Sequence, residues 1–412
     1  MDVDNSLKVN GIRLSFPILI FIGLIASLPF FSIRSDMLGV GVPIFLLGII
    51  MVVTSFQVAS NLKIKSVFSL FDLLIFLYLF IALLSFIYTN EHAQASFSFL
   101  KTVAYFSSYI ALKIFLASSS GGEIEAALMS GVILGMSFFL LVTIYALIKQ
   151  DLLFSLSNNF SYYGLTYKVF ATIFSLSGSD EIIKSSDIMR NTIGEVFAFY
   201  FIVVFFSRVT PKWKKKYYLA LNFLFVIGMF SRRAFLAVIS ILFTKLYLGK
   251  NKSLLLLMLF LVSGLSVYVF LFDGAVLTEN RLTNFDDTSR VTQYTQAIEI
   301  FFNQHVLIGA GYGYKLNEEK YIHNFILSSA VMMGITGLVL SIAIYFLVVW
   351  KFIRGIVSSS DSQYSCLLVI PILGMTVGST VEGMFTPISW IIFAIYDVHR
   401  NKVSTIRANK RI

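Results

Sequence analysis

The sequence predicts an all-α, polytopic integral membrane protein, a single transmembrane domain of about twelve helices over residues 1–412. Three observations carry that prediction. The chain is 57% hydrophobic and only 13% charged, about half the charge of an ordinary soluble domain. Apolar runs of about 20 residues, each enough to cross roughly 30 Å of hydrocarbon, recur from end to end. The alternating segments of about ten residues that mark an outer-membrane barrel are absent.

The amino-terminal stretch "MDVDNSLKVNGIRLSFPILIFIGLIASLPFFSI" sets a basic flank before an apolar run. That run is longer than a signal-peptide core and has no small-residue cleavage site, so it reads as a retained first span. Hydropathy places the spans at roughly 15–33, 37–57, 67–89, 96–117, 125–148, 192–208, 217–231, 234–249, 253–272, 325–353, 363–380 and 388–399. An even number puts both termini in the cytoplasm. Basic residues then gather on inner connections: Lys63 and Lys65, Arg208 with Lys212, Lys214, Lys215 and Lys216, then Lys245, Lys250 and Lys252, Lys351 and Arg354, and the tail from Arg400 to Arg411. This is the positive-inside pattern. It makes the net charge of +10 a topology signal and leaves no nucleic-acid partner to invoke. Cys366, alone and in an apolar run, supports neither a disulfide nor a zinc framework.

Two outer segments are long, about 150–190 and about 273–323, where most connections are short. In the second, "SRVTQYTQAIEIFF" sets Val291, Tyr294, Ala297 and Ile298 at helical spacing, with Ile300, Phe301 and Phe302 closing the apolar patch. A short amphipathic helix at the membrane surface fits. "GAGYGY" at 309–314 has no strand before it and opens no helix of a βαβ unit, so it reads as a turn, not a nucleotide loop. Gly334 and Gly337 in "MMGITG" predict a close helix approach or a bend. Asp286 and Asp287 are one acidic pair without further ligand spacing, and no metal site is assigned.

Some arginines break the inside rule. Arg190, Arg232, Arg233, Arg281 and Arg290 fall on the outer side. Each alone is explained by snorkelling to headgroups. Several converging from different segments make an anion site, because a planar guanidinium grips phosphate oxygens at two points. His323 stands at the mouth of the span that follows, where it reads either as an interfacial helix-start residue with Asn324 capping or as a base.

Three segments, "SRRAFLA", "SRVTQYTQAIEIFFNQHVLIGAGYGY" and "HNFILSSAVMMGITGLVL", occur in the order and spacing of the O-antigen ligase/polymerase family, which the chain therefore resembles. The resemblance carries motifs over about 190–390 and agrees only in hydropathy before that. It implies a membrane fold of the GT-C glycosyltransferase type in the bacterial inner membrane, with the active site facing the periplasm. It matches His323 to the catalytic histidine, Arg232 rather than Arg233 to the family's Ser-Arg, and Arg290 to the loop arginine. Arg190 with Gly194 is similar to the earlier arginine motif, and Glu382 with Pro387 to the late outer turn, to which no role is assigned. The implied reaction transfers a glycan from undecaprenyl diphosphate to an acceptor hydroxyl without metal or cofactor. In it Arg232, Arg290 and Arg190 bind diphosphate. Arg233, Tyr312, Tyr314, Asn324 and Glu382 are candidate substrate contacts, the two tyrosines by stacking on sugar rings.

Ligases of the family often carry His-x-His-Asn-Glu at this point. "YIHNFI" has Tyr321 for the first histidine and Phe325 for the glutamate. That departure favours a polymerase of the Wzy type, whose donor and acceptor are both lipid-linked repeat units, over a ligase acting on lipid A–core. The implied partners are membrane lipid, a chain-length regulator and a flippase. A twelve-span transporter or flippase is the rival from another class; it predicts internal repeats and a mid-membrane polar site, whereas no 6+6 repeat is visible and the informative polar residues gather at one face.

Overall fold

Within hydrocarbon a helix closes every backbone hydrogen bond on itself, so apolar runs of this kind fold as helices. The computed structural model describes residues 7–9, 12–14, 16–30, 42–59, 68–89, 92–117, 119–149, 186–208, 210–228, 231–248, 288–304, 306–316, 322, 324–357, 362–376 and 387–409. Among them is an antiparallel ribbon that the sequence reading did not anticipate. It joins β1 (Leu7–Val9) to β2 (Ile12–Leu14), with Lys8 opposite Arg13. The two intervening residues are Asn10-Gly11, the pair that two-residue hairpins favour.

The helices are α1 (Phe16–Ser27), α2 (Val42–Ala59), α3 (Leu70–Ser85), α4 (His92–Ala117), α5 (Gly121–Lys149), α6 (Ser186–Phe206), α7 (Lys212–Gly228), α8 (Arg232–Leu248), α9 (Thr288–Gln304), α10 (Phe325–Val357), α11 (Ser362–Leu367), α12 (Val369–Thr376) and α13 (Pro387–Asn409). Each expected span coincides with one or two of these, save 253–272, which lies outside the described residues. Among the described residues four stretches are long and apolar enough to cross a membrane: Leu70–Tyr88, Phe99–Ala117, Gly121–Tyr145 and Phe325–Val357. Shorter apolar helices lie at Pro17–Phe30, Pro43–Ser55, Thr192–Phe206, Arg233–Thr244 and Tyr364–Thr376.

The chain divides into two compact units. One comprises Met1–Ile20, Leu46–Ile124 and Asp287–Ile412; the other comprises Phe21–Phe45 and Glu125–Asp286. In the first, α10 packs on α3, α9, α11 and α12, while α13 packs on α4. Local sequence starts these helices: the Ser69 N–H donates to Asp72 Oδ2 (2.5 Å) at the head of α3, closing the backbone side of a capping box. In the second unit α6 is the hub, packing on α7 and α8. Phe139, Phe197 and Phe225 meet there edge-on and tilted, at 4.6–5.2 Å between rings. The Tyr200 hydroxyl donates to the Ile25 carbonyl.

Candidate functional site

His323 and Glu382 lie outside the described residues, but both chain neighbours of His323 are described. Ile322 is buried. Asn324 caps α10: its Oδ1 accepts from the Leu327 N–H (3.0 Å) and its carbonyl from the Ser328 N–H (2.8 Å). Its Nδ2 donates to the Thr376 carbonyl (3.3 Å) at the end of α12. The capping role weighed for Asn324 is thus the one its side chain performs.

Ten residues into α10 the helix breaks. Gly334 adopts φ 66° and ψ −154°, a region open essentially to glycine alone. A break frees donors and acceptors that must be paired again inside protein, and the glycine-rich turn supplies the partners. In an unbroken helix the Ile335 N–H would donate to the Val331 carbonyl. Here it donates to the Val306 carbonyl (2.8 Å), and the Val331 carbonyl accepts from the Ala310 N–H (2.7 Å). The Met332 carbonyl takes the Gly311 N–H (3.1 Å), and the Met333 carbonyl takes the Thr336 hydroxyl (2.9 Å). Gly309 (φ 78°) lies so close that a Cβ would stand 2.4 Å from the Met332 carbonyl oxygen. The turn expected at "GAGYGY" is therefore a plug stitched into a broken helix. The bend expected at Gly334 is real, and it brings Gly337 against Ser329 of the same helix.

Tyr312, within that turn, is inside the unit and not on a surface that a sugar ring could reach. It is 1% exposed, stacks on Phe86 at 6.0 Å and meets Phe99 edge-on at 5.9 Å. Its hydroxyl pairs with that of Thr102 (3.0 Å), and its carbonyl accepts from the Thr89 hydroxyl (3.0 Å). Tyr314 is half-buried against the cluster of Ala297, Phe301, Leu316, Ile322, Ala330 and Val331.

That cluster seats α9 against the head of α10. The buried face of α9 is Gln293, Ala297 and Phe301, while Ile298 and Phe302 are exposed. So the buried stripe is narrower than the apolar patch read from sequence, and Ile298 and Phe302 of that patch face outward. Arg290 lies in the first turn of α9, one turn before Gln293; its side chain is outside the described residues.

The other arginines belong to the second unit. Arg190, expected at a loop end, stands instead in the second turn of α6. Arg232 opens α8, directly after Ser231. The side chains of both are outside the described residues. Their helices nearly touch where a Cβ on Gly194 would come within 2.6 Å of Ser231 Cβ. Arg190 and Arg232 are therefore brought to the same end of one helix pair. Arg233 takes a different part: its guanidinium lies 2.7 Å from Glu195 Oε1, with the glutamate side chain only 4% exposed. It is committed to an internal ion pair that links α6 and α8.

A second polar centre, missed by the sequence reading, lies in the first unit. Lys113 Nζ is 2.6 Å from Asp72 and 3.3 Å from Asp397, and Lys351 Nζ is 2.7 Å from Asp397. The Tyr109 hydroxyl lies 2.5 Å from Asp72 Oδ1 and 3.0 Å from Asp397 Oδ2, and the Ser69 hydroxyl donates to Asp397 (3.1 Å). Two cations and two anions cancel, tying α3, α4, α10 and α13 together. Lys351, expected on an inner loop, is buried here, because its charge has a carboxylate within reach. The available signal was a lone Asp or Lys inside an apolar run. Next to this centre is a cavity of about 790 Å³ lined by Met51, Thr54, Asp72, Phe76 and Phe106 among others.

Residues 217–342 match the model of a family described as O-Antigen ligase. The matched stretch runs from α7 into α10 and contains Arg232, Arg233, Arg290, Tyr312, Tyr314, His323 and Asn324; Arg190 and Glu382 lie outside it. No curated protein matches the chain. The similarity to that family covers residues 217–342, less than a third of the chain.

Proposed function

We propose that the protein polymerises undecaprenyl diphosphate-linked oligosaccharide repeat units into O-antigen or a related surface polysaccharide. The reaction takes place at the periplasmic face, by metal-independent, inverting glycosyl transfer. The observation that carries this reading is that one family match, over residues 217–342, contains Arg232, Arg290 and His323 in order. His323 takes the proton of the acceptor hydroxyl as its oxygen attacks the anomeric carbon. The bond from that carbon to the diphosphate oxygen breaks, and the departing diphosphate gathers charge. Arg232 and Arg290, assisted by Arg190, neutralise it through charge-assisted hydrogen bonds aimed at the leaving oxygens. In-line displacement inverts the anomeric centre. His323 directly precedes, in sequence, the Asn324 cap that opens α10.

A second reading, ligation of finished polymer to lipid A–core, draws equal support from the match, whose family is described as O-Antigen ligase. Tyr321 and Phe325 in "YIHNFI" favour the polymerase. The test is to give purified protein a lipid-linked repeat unit extracted from the source cells and to resolve the products by size. Wild type makes a ladder, His323→Ala makes none, and Arg232→Ala or Arg290→Ala lowers the rate about 10²–10³-fold, as loss of one preorganised donor does. Transfer to lipid A–core without a ladder selects the ligase. Translocation without glycosyl transfer overturns both in favour of a transporter.

A further inference from the structure

We propose that the cavity beside the buried charge centre is a site for one aminophospholipid of the membrane. An acyl chain lies between α2, α3 and α4, and the headgroup ammonium donates to the hydroxyl oxygens of Ser55 and Ser69. The site stands apart from the glycosyl-transfer reading and uses none of its residues. The cavity volume of about 790 Å³ falls in the range of about 300–1,000 Å³ that small-molecule sites occupy. Its wall is drawn from Met51 on α2, Phe76 on α3 and Phe106 and Ile110 on α4. Leu73 and Phe76, on its edge, are 55% and 61% exposed, so it opens sideways, on faces that meet hydrocarbon in a membrane-spanning chain. Its depth is that of one leaflet. The apolar stretches of α2, α3 and α4 end at Ser55, begin at Leu70 and end at Ala117, which sets Ser55 and Ser69 at a membrane boundary. In from there, Phe76 lies roughly 9 Å along α3 and Phe106 roughly 16 Å along α4 at 1.5 Å per residue. Half of the hydrocarbon core is about 15 Å.

Hydrophobicity does not choose the occupant, because the surrounding lipid chains are as apolar as the wall. The polar end does. The Ser55 hydroxyl, on the exposed side of α2, donates to the Met51 carbonyl (2.9 Å), and the half-buried Ser69 hydroxyl donates to Asp397 (3.1 Å). Each therefore has lone pairs to offer a ligand and no proton. Behind them Lys113 aims Nζ at Asp72 (2.6 Å), the Tyr109 hydroxyl (3.2 Å) and Asp397 (3.3 Å), a partner for each of its three N–H bonds. At the boundary, then, the described wall presents side-chain acceptors and no side-chain donor. A primary ammonium matches it, bringing N–H donors and a positive charge together. The trimethylammonium of a choline lipid has the charge without the N–H, and a glycerol headgroup has hydroxyls without the charge.

The experiment takes the full chain in detergent and adds phosphatidylethanolamine, phosphatidylcholine or phosphatidylglycerol with identical acyl chains, or undecaprenyl phosphate. Native mass spectrometry counts the lipid retained, and titration ranks the affinities. The expected result is one phosphatidylethanolamine, held at least about tenfold more tightly than phosphatidylcholine, the factor that one charge-assisted hydrogen bond supports. Ser107→Trp, which puts a ring into the cavity from a half-buried position on its wall, loses that lipid. Phe80→Trp, on the exposed flank of α3 one turn beyond Phe76, keeps it. Equal retention of phosphatidylethanolamine and phosphatidylcholine overturns the assignment, as does tighter binding of phosphatidylglycerol. Undecaprenyl phosphate that displaces the amine lipid at lower concentration overturns it in favour of the tail of a polyprenyl substrate. Unchanged retention by folded Ser107→Trp overturns the location. The comparison of lipids on wild type decides the matter even where that variant does not fold.

Discussion

Arg233 and Glu195 show how one ion pair commits an arginine to the inside of the protein. Arg233 is drawn inward by a carboxylate whose side chain is 4% exposed. Removing one member of such a buried pair strands the other charge. Arg233→Ala should therefore destabilise the protein by about 3–5 kcal/mol, and the double change with Glu195→Ala by clearly less. Thermal unfolding of the four proteins in one detergent measures this as a cycle; a double change as damaging as the sum of the two singles would refute the pairing. The sequence offered Arg233 as a candidate substrate contact, and nothing in "GEVFAFY" singled out its partner. Tyr312 illustrates the same limit: an aromatic in a glycine-rich turn reads alike whether its ring awaits a sugar or fills a core.

Among the elements, α10 is the one on which the proposed site depends. Its portion from Ile335 to Val357 rises roughly 33 Å at 1.5 Å per residue, close to the hydrocarbon thickness of about 30 Å. Along it Ile335, Val339, Phe346, Trp350, Ile353 and Val357 are exposed at helical spacing, whereas Ser328 to Gly334 are all buried. The break thus falls where an apolar-faced helix gives way to one enclosed by protein. A Cβ at Gly334 would lie 2.4 Å from the Leu307 carbonyl oxygen, in a conformation that L residues rarely adopt. Gly334→Ala should cost at least about 1–3 kcal/mol for backbone strain alone. Gly48→Ala, in α2 with nothing within 4 Å of its added methyl, should be neutral or stabilising by up to about 1 kcal/mol. Equal unfolding midpoints for the two variants would contradict the strain argument. A glycine that bends a helix was legible in "MMGITG". That residues 306–311 repair the bend was not, since those backbone bonds carry no signature in side-chain order.

For the whole molecule, the charge distribution predicts which segments share a side of the membrane. In a Cys366→Ser background, a cysteine at Trp213, 71% exposed in the basic run that opens α7, should react with an impermeant maleimide only after cells are permeabilised. One at Phe302, 67% exposed on α9, should react in intact cells. The reverse pattern would invert the topology and place the proposed site on the wrong face. Composition and apolar periodicity were enough to decide the solvent, the helical class and nearly every helix position, because the cost of bare backbone in lipid leaves few alternatives. The order of the motifs was enough to point at glycan transfer. Only the tertiary structure decided which polar groups are spent within the protein: Asp72, Lys113, Lys351 and Asp397 on one another, Arg233 on Glu195, Asn324 on the end of its helix. A charge in an apolar run announces that it must have a partner, but the partner is set by which helices pack together, and hydropathy is blind to that.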